Sequence, residues 1–270
     1  VYKRQTMDRA ASVVMAGTLN SHRNDWRGQF IIYHRTGDLT QWQERGRGVG
    51  SFHREDVGGE GRAMMSRNGE YVVTGAIWGA AGGVQLWKGD SSGSNWARFE
   101  FLQEVGSSGQ FGYFNAISGD GSVAAITSRY HERNSDVLGY VFTFHRTPGT
   151  DVWVRHVASG GKDGTIFYGD AAWQEFGRST ALSYDGTVIA IGAPNQNVRH
   201  AVVGRWTGSA WTQVCKVTQN CYGLSGGNSC QRFGISVALN YDGTVVAIGA
   251  ATDSSSARGL VDVYDVNLAG

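Results

Sequence analysis

One pattern of hydrophobic and polar positions recurs along the whole chain. A Phe-Gly pair opens a short segment, an Asp-Gly or Asn-Gly pair follows, and a run of apolar residues comes next. The clearest copies occupy residues 176–193 and 233–250, and a third begins at Phe111. Asn-Gly and Asp-Gly between apolar runs are strong hairpin signals. Each copy is therefore predicted to begin with two antiparallel strands, a and b, joined by a tight turn.

The same pattern predicts two further strands, c and d, in each copy. The turn signals recur roughly every 60 residues, the scale of a repeat architecture, and the first of them is degenerate. Strand c ends in an aromatic residue, and strand d begins with a tryptophan. These tryptophans are Trp42, Trp96, Trp153 and Trp211. The predicted repeats are residues 1–58, 59–110, 111–175, 176–232 and 233–270, with the first lacking a credible strand a and the last lacking strand d.

The hydrophobic patterns of strands b and d indicate the fold class. Strand b is almost wholly apolar, as in residues 187–193, whereas strand d alternates, as in residues 153–157. A continuous apolar strand needs cover on both faces. Radially stacked four-stranded blades provide that cover and leave the outer strand more exposed to solvent. The prediction is an all-β, single-domain β-propeller of four-stranded antiparallel blades, and a stacked β-solenoid is the alternative.

Five repeats are visible, so the ring is either closed by five blades or part of a larger one. Both terminal repeats are predicted to be incomplete. A fragment of a ring of about six or seven blades is the favoured interpretation. Val1 to Gln5 look like translated sequencing-adaptor residues from metagenomic assembly.

Composition narrows the function classes. The chain has 270 residues, 40 of them Gly, with a formal net charge of +1. So small a charge gives no global attraction to nucleic acid. No apolar run is long enough for a membrane-spanning helix. Neither a cofactor site nor a metal site is predicted, because His and Cys are not placed at ligand spacings.

The three cysteines fall close together, at Cys215, Cys221 and Cys230. Cys221 and Cys230 bracket a polar, glycine-containing loop and form the candidate disulfide, with reduced thiols as the alternative. A disulfide would fit an extracellular or cell-surface protein.

Taken together, Phe176-Gly177, Asp185-Gly186 and the following Ile191-Gly192-Ala193-Pro194 resemble the FG-GAP-like β-propeller repeats. The best-known relatives of those repeats are in the integrin α-subunit head. The resemblance implies a propeller fold and a surface protein that recognises a protein or a glycan.

Calcium binding does not carry over from that resemblance. Calcium-binding integrin-type repeats have an Asp-x-Asp-x-Asp-Gly type of loop, whereas the turns at Asp185 and Asp242 offer one carboxylate each. Ca²⁺ takes six to eight oxygen ligands, several of them carboxylates. Asp185 and Asp242 are therefore predicted to shape their turns only.

Variable loops supply the candidate binding residues. The b–c and d–a connections share one end of the predicted propeller and differ in every repeat, and a rigid scaffold with diverse loops commonly carries recognition. Aromatic, arginine and amide side chains there are typical of binding surfaces. The candidates are Trp26, Trp78, Tyr130, His131, Trp173, Asn197 and Arg199.

No catalytic motif stands out in the sequence. There is no G-x-S-x-G or H-E-x-x-H pattern, and no catalytic residue is assigned. The first hypothesis is a non-catalytic binding or adhesion module for a protein or glycan. A catalytic propeller, such as a glycoside hydrolase or lyase, is the second, and a structural segment of a larger surface protein is the third.

Overall fold

The structure is a computed structural model. It describes residues 2–7, 12–18, 28–35, 41–50, 57, 63–76, 83–90, 95–103, 111–128, 132–133, 136–156, 167–195, 199–218, 232–251 and 259–268. Within these ranges every regular element is a β-strand, which confirms the all-β prediction.

Most strands belong to sheets that follow one another along the chain. Sheet 1 contains β1 (Tyr2–Met7), β2 (Val13–Thr18), β3 (Gln29–Arg35) and β4 (Trp42–Val49). Sheet 2 contains β5 (Ala63–Met65), β6 (Tyr71–Ala76), β7 (Gly83–Gly89) and β8 (Trp96–Leu102). β11 (Glu132–Arg133) and β12 (Asp136–Val137) pair only with each other.

The later sheets repeat this plan with two variations. Sheet 3 contains β9 (Phe111–Ile117), β10 (Val123–Ser128), β13 (Tyr140–Arg146), β14 (Trp153–Arg155) and the short β15 (Phe167–Tyr168). Sheet 4 contains β16 (Ser179–Leu182), β17 (Val188–Ala193), β18 (His200–Trp206) and β19 (Trp211–Thr218). Sheet 5 contains β20 (Phe233–Leu239), β21 (Val245–Ala250) and β22 (Leu260–Asp265).

The strand order in sheets 1, 2 and 4 is the a–b–c–d order predicted from the sequence, and all their pairs are antiparallel. Sheet 1 differs from expectation, because β1 is a first strand where none was predicted. Its backbone pairs with β2 from Tyr2 to Met7, and such pairing does not require a Phe-Gly sequence. Whether the five predicted repeats form one domain stays a prediction.

Neighbouring sheets pack face to face in chain order. Strand β9 packs on β6, β16 on β9, and β20 on β17. A separate hydrophobic cluster fills each junction between successive sheets. Sheets 2, 3 and 4 are therefore covered on both faces, which is why strands β10 and β17 are buried along their whole length.

The a–b turns meet at one end of the sheets, which we call the turn end; the opposite end is the loop end. The amide of Asn68 donates to Gly119 O at 2.9 Å, and that of Asp120 donates to Tyr184 O at 2.9 Å. The amide of Tyr184 continues the series by donating to Tyr241 O at 2.8 Å. These bonds tie the turns of sheets 2 to 5 into one chain of contacts.

Each of these turns is closed by its own side chains. Asp185 Oδ1 accepts hydrogen bonds from Ser183 Oγ (2.7 Å), the Thr187 amide (3.0 Å) and Thr187 Oγ1 (2.8 Å). The Thr244 amide and hydroxyl make the same bonds to Asp242. Both aspartates shape their turns, as predicted. No group of three or more His, Cys, Asp or Glu side chains placed to hold a metal ion occurs in the described part of the chain.

Within the described residues, sheet 5 lies at one end of this series and packs on a neighbouring sheet through one face only. Its inner face packs on sheet 4 through Phe233, Val246 and Ile248. On the other face, Val261 and Val263 are 66% and 65% exposed. The apolar pattern of strand b predicts cover on both faces, and in sheet 5 the described residues provide it on the inner face alone.

Candidate functional site

A polar cluster lies at the loop end, between sheets 3 and 4. After β15 the chain crosses the end of sheet 3 and enters β16. The crossing segment, residues 169–178, carries several charged and polar side chains. The loop end of β18 and β19 adds others beside it. The members of this cluster are Asp170, Trp173, Gln174, Glu175, Arg178, Arg199, His200 and Lys216.

The crossing segment has a strained backbone. Trp173 has φ of 63° and Glu175 has φ of 54°, both in the left-handed region. A bulky residue seldom adopts this region, and such outliers concentrate at functional sites. Arg232, which precedes the next Phe-Gly pair, also has φ of 63°, so the conformation of Glu175 recurs before sheet 5. The Asn195 amide donates to Gln174 O at 3.1 Å and ties the segment to the end of β17. The fold therefore holds Trp173 outward, 55% exposed, next to a buried Gln174.

Glu175 and Arg178 form an ion pair around the Phe-Gly corner. Arg178 Nε lies 3.4 Å from Glu175 Oε2, and the Glu175 side chain is only 10% exposed. The guanidinium also sits over the Phe114 ring, 4.5 Å from its centroid. The backbone fixes the corner, since the Gly177 and Arg178 amides both donate to Gly192 O. A carboxylate and a guanidinium are thus presented together, partly shielded from water.

A second ion pair borders the first toward the outer edge. Lys216 Nζ lies 2.5 Å from Asp170 Oδ2. Burial would raise the pKa of Asp170, but hydrogen bonds from Lys216 and Gln174 and the nearby Lys216 and His200 charges lower it overall. Asp170 therefore stays ionised at neutral pH. Buried His200 lies close by, with its ring 6.3 Å from that of Phe176.

Two of the seven predicted binding residues fall within the described structure, and both belong to this cluster. Trp173 is exposed on the crossing segment, and Arg199 is half-buried directly before β18. The other five lie outside the described residues, as do both members of the candidate disulfide. They are Trp26, Trp78, Tyr130, His131, Asn197, Cys221 and Cys230. The remaining cysteine, Cys215, is half-buried, and burial raises the pKa of its thiol.

Glu175 and Arg178 were not among the binding residues predicted from the sequence. Both directly flank the Phe176-Gly177 pair, which was assigned a purely architectural role. A signal was present, because the residue before Phe-Gly differs between copies: it is Glu175 in one and Arg232 in the next. Variation beside a fixed motif marks a position that the scaffold does not dictate.

A stack of aromatic rings joins sheets 3 and 4 nearer the turn end. The His156 ring lies 4.5 Å from that of His145 and 4.2 Å from that of Trp206. His156 Nδ1 is also 2.7 Å from Thr143 Oγ1. Burial, aided by the charge of His145, lowers the pKa of His156 to about 4. A neutral, enclosed imidazole suits packing, so we assign this stack to the interface rather than to a site.

Comparison with solved structures places this architecture among propeller-like folds. A periplasmic gluconolactonase from Pseudomonas aeruginosa matches with a TM-score of 0.62 at 13% identity, over 98% of this chain and 68% of that one. A functionally unknown protein from Desulfotomaculum acetoxidans matches with a TM-score of 0.61 at 13% identity, over 98% and 66%. A candidate 6-phosphogluconolactonase from Bacteroides uniformis matches with 0.58 at 12% identity, over 98% and 67%. The fold is propeller-like.

The chain spans about two thirds of the length of each of these proteins. No protein-family model matches it, and no curated protein sequence does either. The specific FG-GAP resemblance and the number of blades therefore remain predictions. No helix in the described ranges is long and apolar enough to cross a membrane.

The comparisons correct the functional prediction. The first hypothesis was a non-catalytic binding or adhesion module, and the protein was expected not to be an enzyme. The similar structures include lactonases, which contradicts that hypothesis and favours the catalytic alternative. The earlier inference relied on missing sequence motifs. Loop residues that act together across a propeller need no shared motif.

Proposed function

We propose that this protein is a propeller hydrolase that opens a sugar lactone or a related cyclic ester at the loop end of sheets 3 and 4. The observation that carries the proposal is the Glu175–Arg178 pair, held at a strained corner of a fold that is also found in lactonases. At 12–13% identity the similarity supports the fold, and the residues carry the chemistry.

Lactone opening needs an activated water and a partner for the developing negative charge. The Glu175 carboxylate accepts a proton from water as the water oxygen bonds to the lactone carbonyl carbon. Arg178 donates hydrogen bonds to the oxyanion that forms. The carbon–oxygen bond of the ring then breaks, the leaving oxygen takes up the proton, and an open hydroxy acid is released.

The neighbouring residues suit a polar ring-shaped substrate. The exposed Trp173 indole offers an apolar face for a sugar ring and an N–H donor at its edge. Arg199 adds a guanidinium at the same end of the sheets, a group that binds a carboxylate or phosphate on a substrate or product. Trp173 and Arg199 are therefore proposed to contact the substrate.

Glucono-1,5-lactone is the first substrate to test, with acid release followed by a pH indicator and corrected for spontaneous hydrolysis. The expected result is turnover that Glu175→Gln reduces by about 100-fold in kcat, the usual scale for loss of a general base. Arg178→Lys should reduce kcat by a similar factor, since a lysine cannot reproduce the forked guanidinium.

A matched control is available on β4. Glu44 and Arg47 form another carboxylate–guanidinium pair with the same sequence spacing, on sheet 1 and exposed. Glu44→Gln should leave kcat unchanged. A rate no higher than spontaneous hydrolysis, or equal rates for Glu175→Gln and wild type, would contradict the proposed function.

Three further features go with this proposal. We infer that the repeats are FG-GAP-like in sequence, because Phe111-Gly112 and Phe233-Gly234 open β9 and β20, and Phe176-Gly177 comes just before the equivalent β16. The chain forms part of a ring larger than five blades, in line with the greater length of the similar proteins. The protein acts outside the cytoplasm, an inference supported by the periplasmic lactonase.

A further inference from the structure

The open face of sheet 5 carries a groove, and the contacts between the other sheets indicate what the groove binds. The groove has a volume of about 370 Å³. All three strands of the sheet contribute to it, and its lining is mostly small or apolar. The lining includes Ser236 on β20, Gly249 on β21 and Val261 on β22.

The equivalent face of sheet 4 is occupied, because sheet 5 packs on it. There the Gly234 carbonyl of sheet 5 lies against Gly192, so close that a Cβ built on Gly192 would be 1.9 Å from that oxygen. Ser179 Oγ donates a hydrogen bond to the same carbonyl at 2.8 Å. We call this serine and glycine pair a socket. It receives the carbonyl of the glycine in the next Phe-Gly pair.

The glycine that enters the socket is also constrained. Gly234 has φ of +88° at the start of β20, and a Cβ there would be 2.6 Å from His200 O. Sheets 2 and 3 repeat the contact, since a Cβ on Gly75 would be 1.9 Å from Gly112 O and Gly112 has φ of +89°. Two junctions thus use a Phe-Gly glycine in a left-handed conformation.

Sheet 5 has the same socket with nothing bound in it from the described residues. Ser236 and Gly249 pair across β20 and β21 in the same way as Ser179 and Gly192 pair across β16 and β17. A Cβ on Gly249 would lie 2.3 Å from Ser236 Oγ, and a Cβ on Gly192 would lie 2.4 Å from Ser179 Oγ. The two sockets therefore share their local geometry.

We propose that the groove on sheet 5 binds the first strand of another four-stranded repeat, with the carbonyl of its Phe-Gly glycine hydrogen-bonded to Ser236. The occupant is defined chemically by a glycine that reaches φ near +90° and by apolar residues that cover Val261 and Val263. Sheet 1 of a second copy fits poorly, since Val1-Tyr2 stand where the sequence pattern places Phe-Gly.

The test extends the chain by one unit, which replaces residues 267–270. A copy of residues 207–268 is fused after Val266, so that the connection from sheet 4 to sheet 5 is reproduced after sheet 5. Ser236→Ala should lower the thermal midpoint of the extended chain by about 2–4 °C, the effect of one lost hydrogen bond in a protein of this size. In the unextended chain the same substitution should shift the midpoint by less than about 1 °C.

Two further variants complete the design. Ser179→Ala, at the occupied socket, should lower the midpoint of the unextended chain. Gly234→Val in the appended copy alone should remove the dependence on Ser236, because the new side chain cannot enter the socket.

Three results would overturn the proposal. One is an equal effect of Ser236→Ala in both chains. Another is an appended unit that a protease degrades while the remainder of the chain survives. The third is sedimentation of the unextended chain as a dimer that Ser236→Ala dissociates, which would put a second copy in the groove.

Discussion

Strands a and b of sheets 4 and 5 have nearly the same sequence, but a face that is buried in sheet 4 is exposed in sheet 5. Strand β17 reads Val-Ile-Ala-Ile-Gly-Ala and is fully buried, whereas β21 reads Val-Val-Ala-Ile-Gly-Ala and is half-buried at its first and third positions. In equivalent positions on strand c, Val203 opposite Ala190 is 0% exposed, and Val263 opposite Ala247 is 65% exposed.

Each repeat therefore has an apolar face that suits a neighbouring repeat. That face is buried only where a neighbouring repeat packs on it. Stability in such arrays comes largely from contacts between adjacent units. The same residue should therefore matter more in sheet 4 than in sheet 5. Matched substitutions in the two sheets measure this directly.

The largest difference is expected for the socket glycines. Gly192→Ala places a methyl group against the Gly234 carbonyl and should cost roughly 3 kcal/mol or more of unfolding free energy. Gly249→Ala meets only the Ser236 hydroxyl, which can rotate away, and should cost less than about 1 kcal/mol. Urea unfolding of both variants makes the comparison, and equal costs would show that the two faces are energetically alike.

The paired valines should give the next largest difference. Val203→Ala removes buried methyl groups and leaves a cavity between sheets 4 and 5, at a cost of about 2 kcal/mol. Val263→Ala should change the unfolding free energy by less than about 0.5 kcal/mol, as surface substitutions do. A large loss for Val263→Ala would mean that its face is covered in solution.

The fold was largely predictable, because its information is local and repeated. The Asp-Gly turns and apolar strands b specify hairpins, and the contrast between strands b and d predicts inner and outer positions. Strand β1 was missed because its pairing depends on the backbone of β2, not on a motif of its own. The open face of sheet 5 could not be predicted from the sequence of β21, because that sequence is as apolar as that of the fully buried β17.

The candidate site was predicted only in part. Trp173 and Arg199 were predicted because the loops that carry them differ in sequence between repeats. Glu175 and Arg178 were not, because the left-handed corner before Phe-Gly recurs at Arg232 with a different side chain, so the corner alone does not reveal the ion pair. Convergence of side chains from a crossing segment and two strands is a tertiary property.

Acid should weaken the junction between sheets 3 and 4. The pKa of His156 is lowered to about 4 in the fold, against an ordinary value of 6.5, so the unfolded chain binds a proton more readily. Its contribution to stability is complete above pH 6.5 and is lost as the pH falls from 6.5 toward 4. The loss should be roughly 1–2 kcal/mol, allowing for solvent screening.

Unfolding titrations at several pH values check this, with His156→Gln as the comparison. The difference in unfolding free energy between wild type and variant should narrow across that pH interval. Because His156 stacks between sheets 3 and 4, sheet 5 should not contribute to the effect. A constant difference would exclude His156 as the cause.

The smallest effect is expected at the turns, where sheets 4 and 5 are alike. Asp185 closes its turn with bonds from Ser183 and Thr187, and although burial alone would raise the pKa of its carboxyl, those bonds lower it. Asp185→Ala should cost about 1 kcal/mol at pH 7. Asp242→Ala should destabilise in the same direction, because Thr244 makes the equivalent bonds.

The pH dependence separates the turns from the histidine stack. A carboxyl whose pKa is lowered by folding stabilises the protein above its ordinary value of 3.8, and that stabilisation is lost as the pH falls below it. The cost of Asp185→Ala should therefore stay constant from pH 7 to about 5 and shrink only in stronger acid. If it shrank already near pH 6, the turn would be coupled to His156, and the junctions between sheets would not behave as independent units.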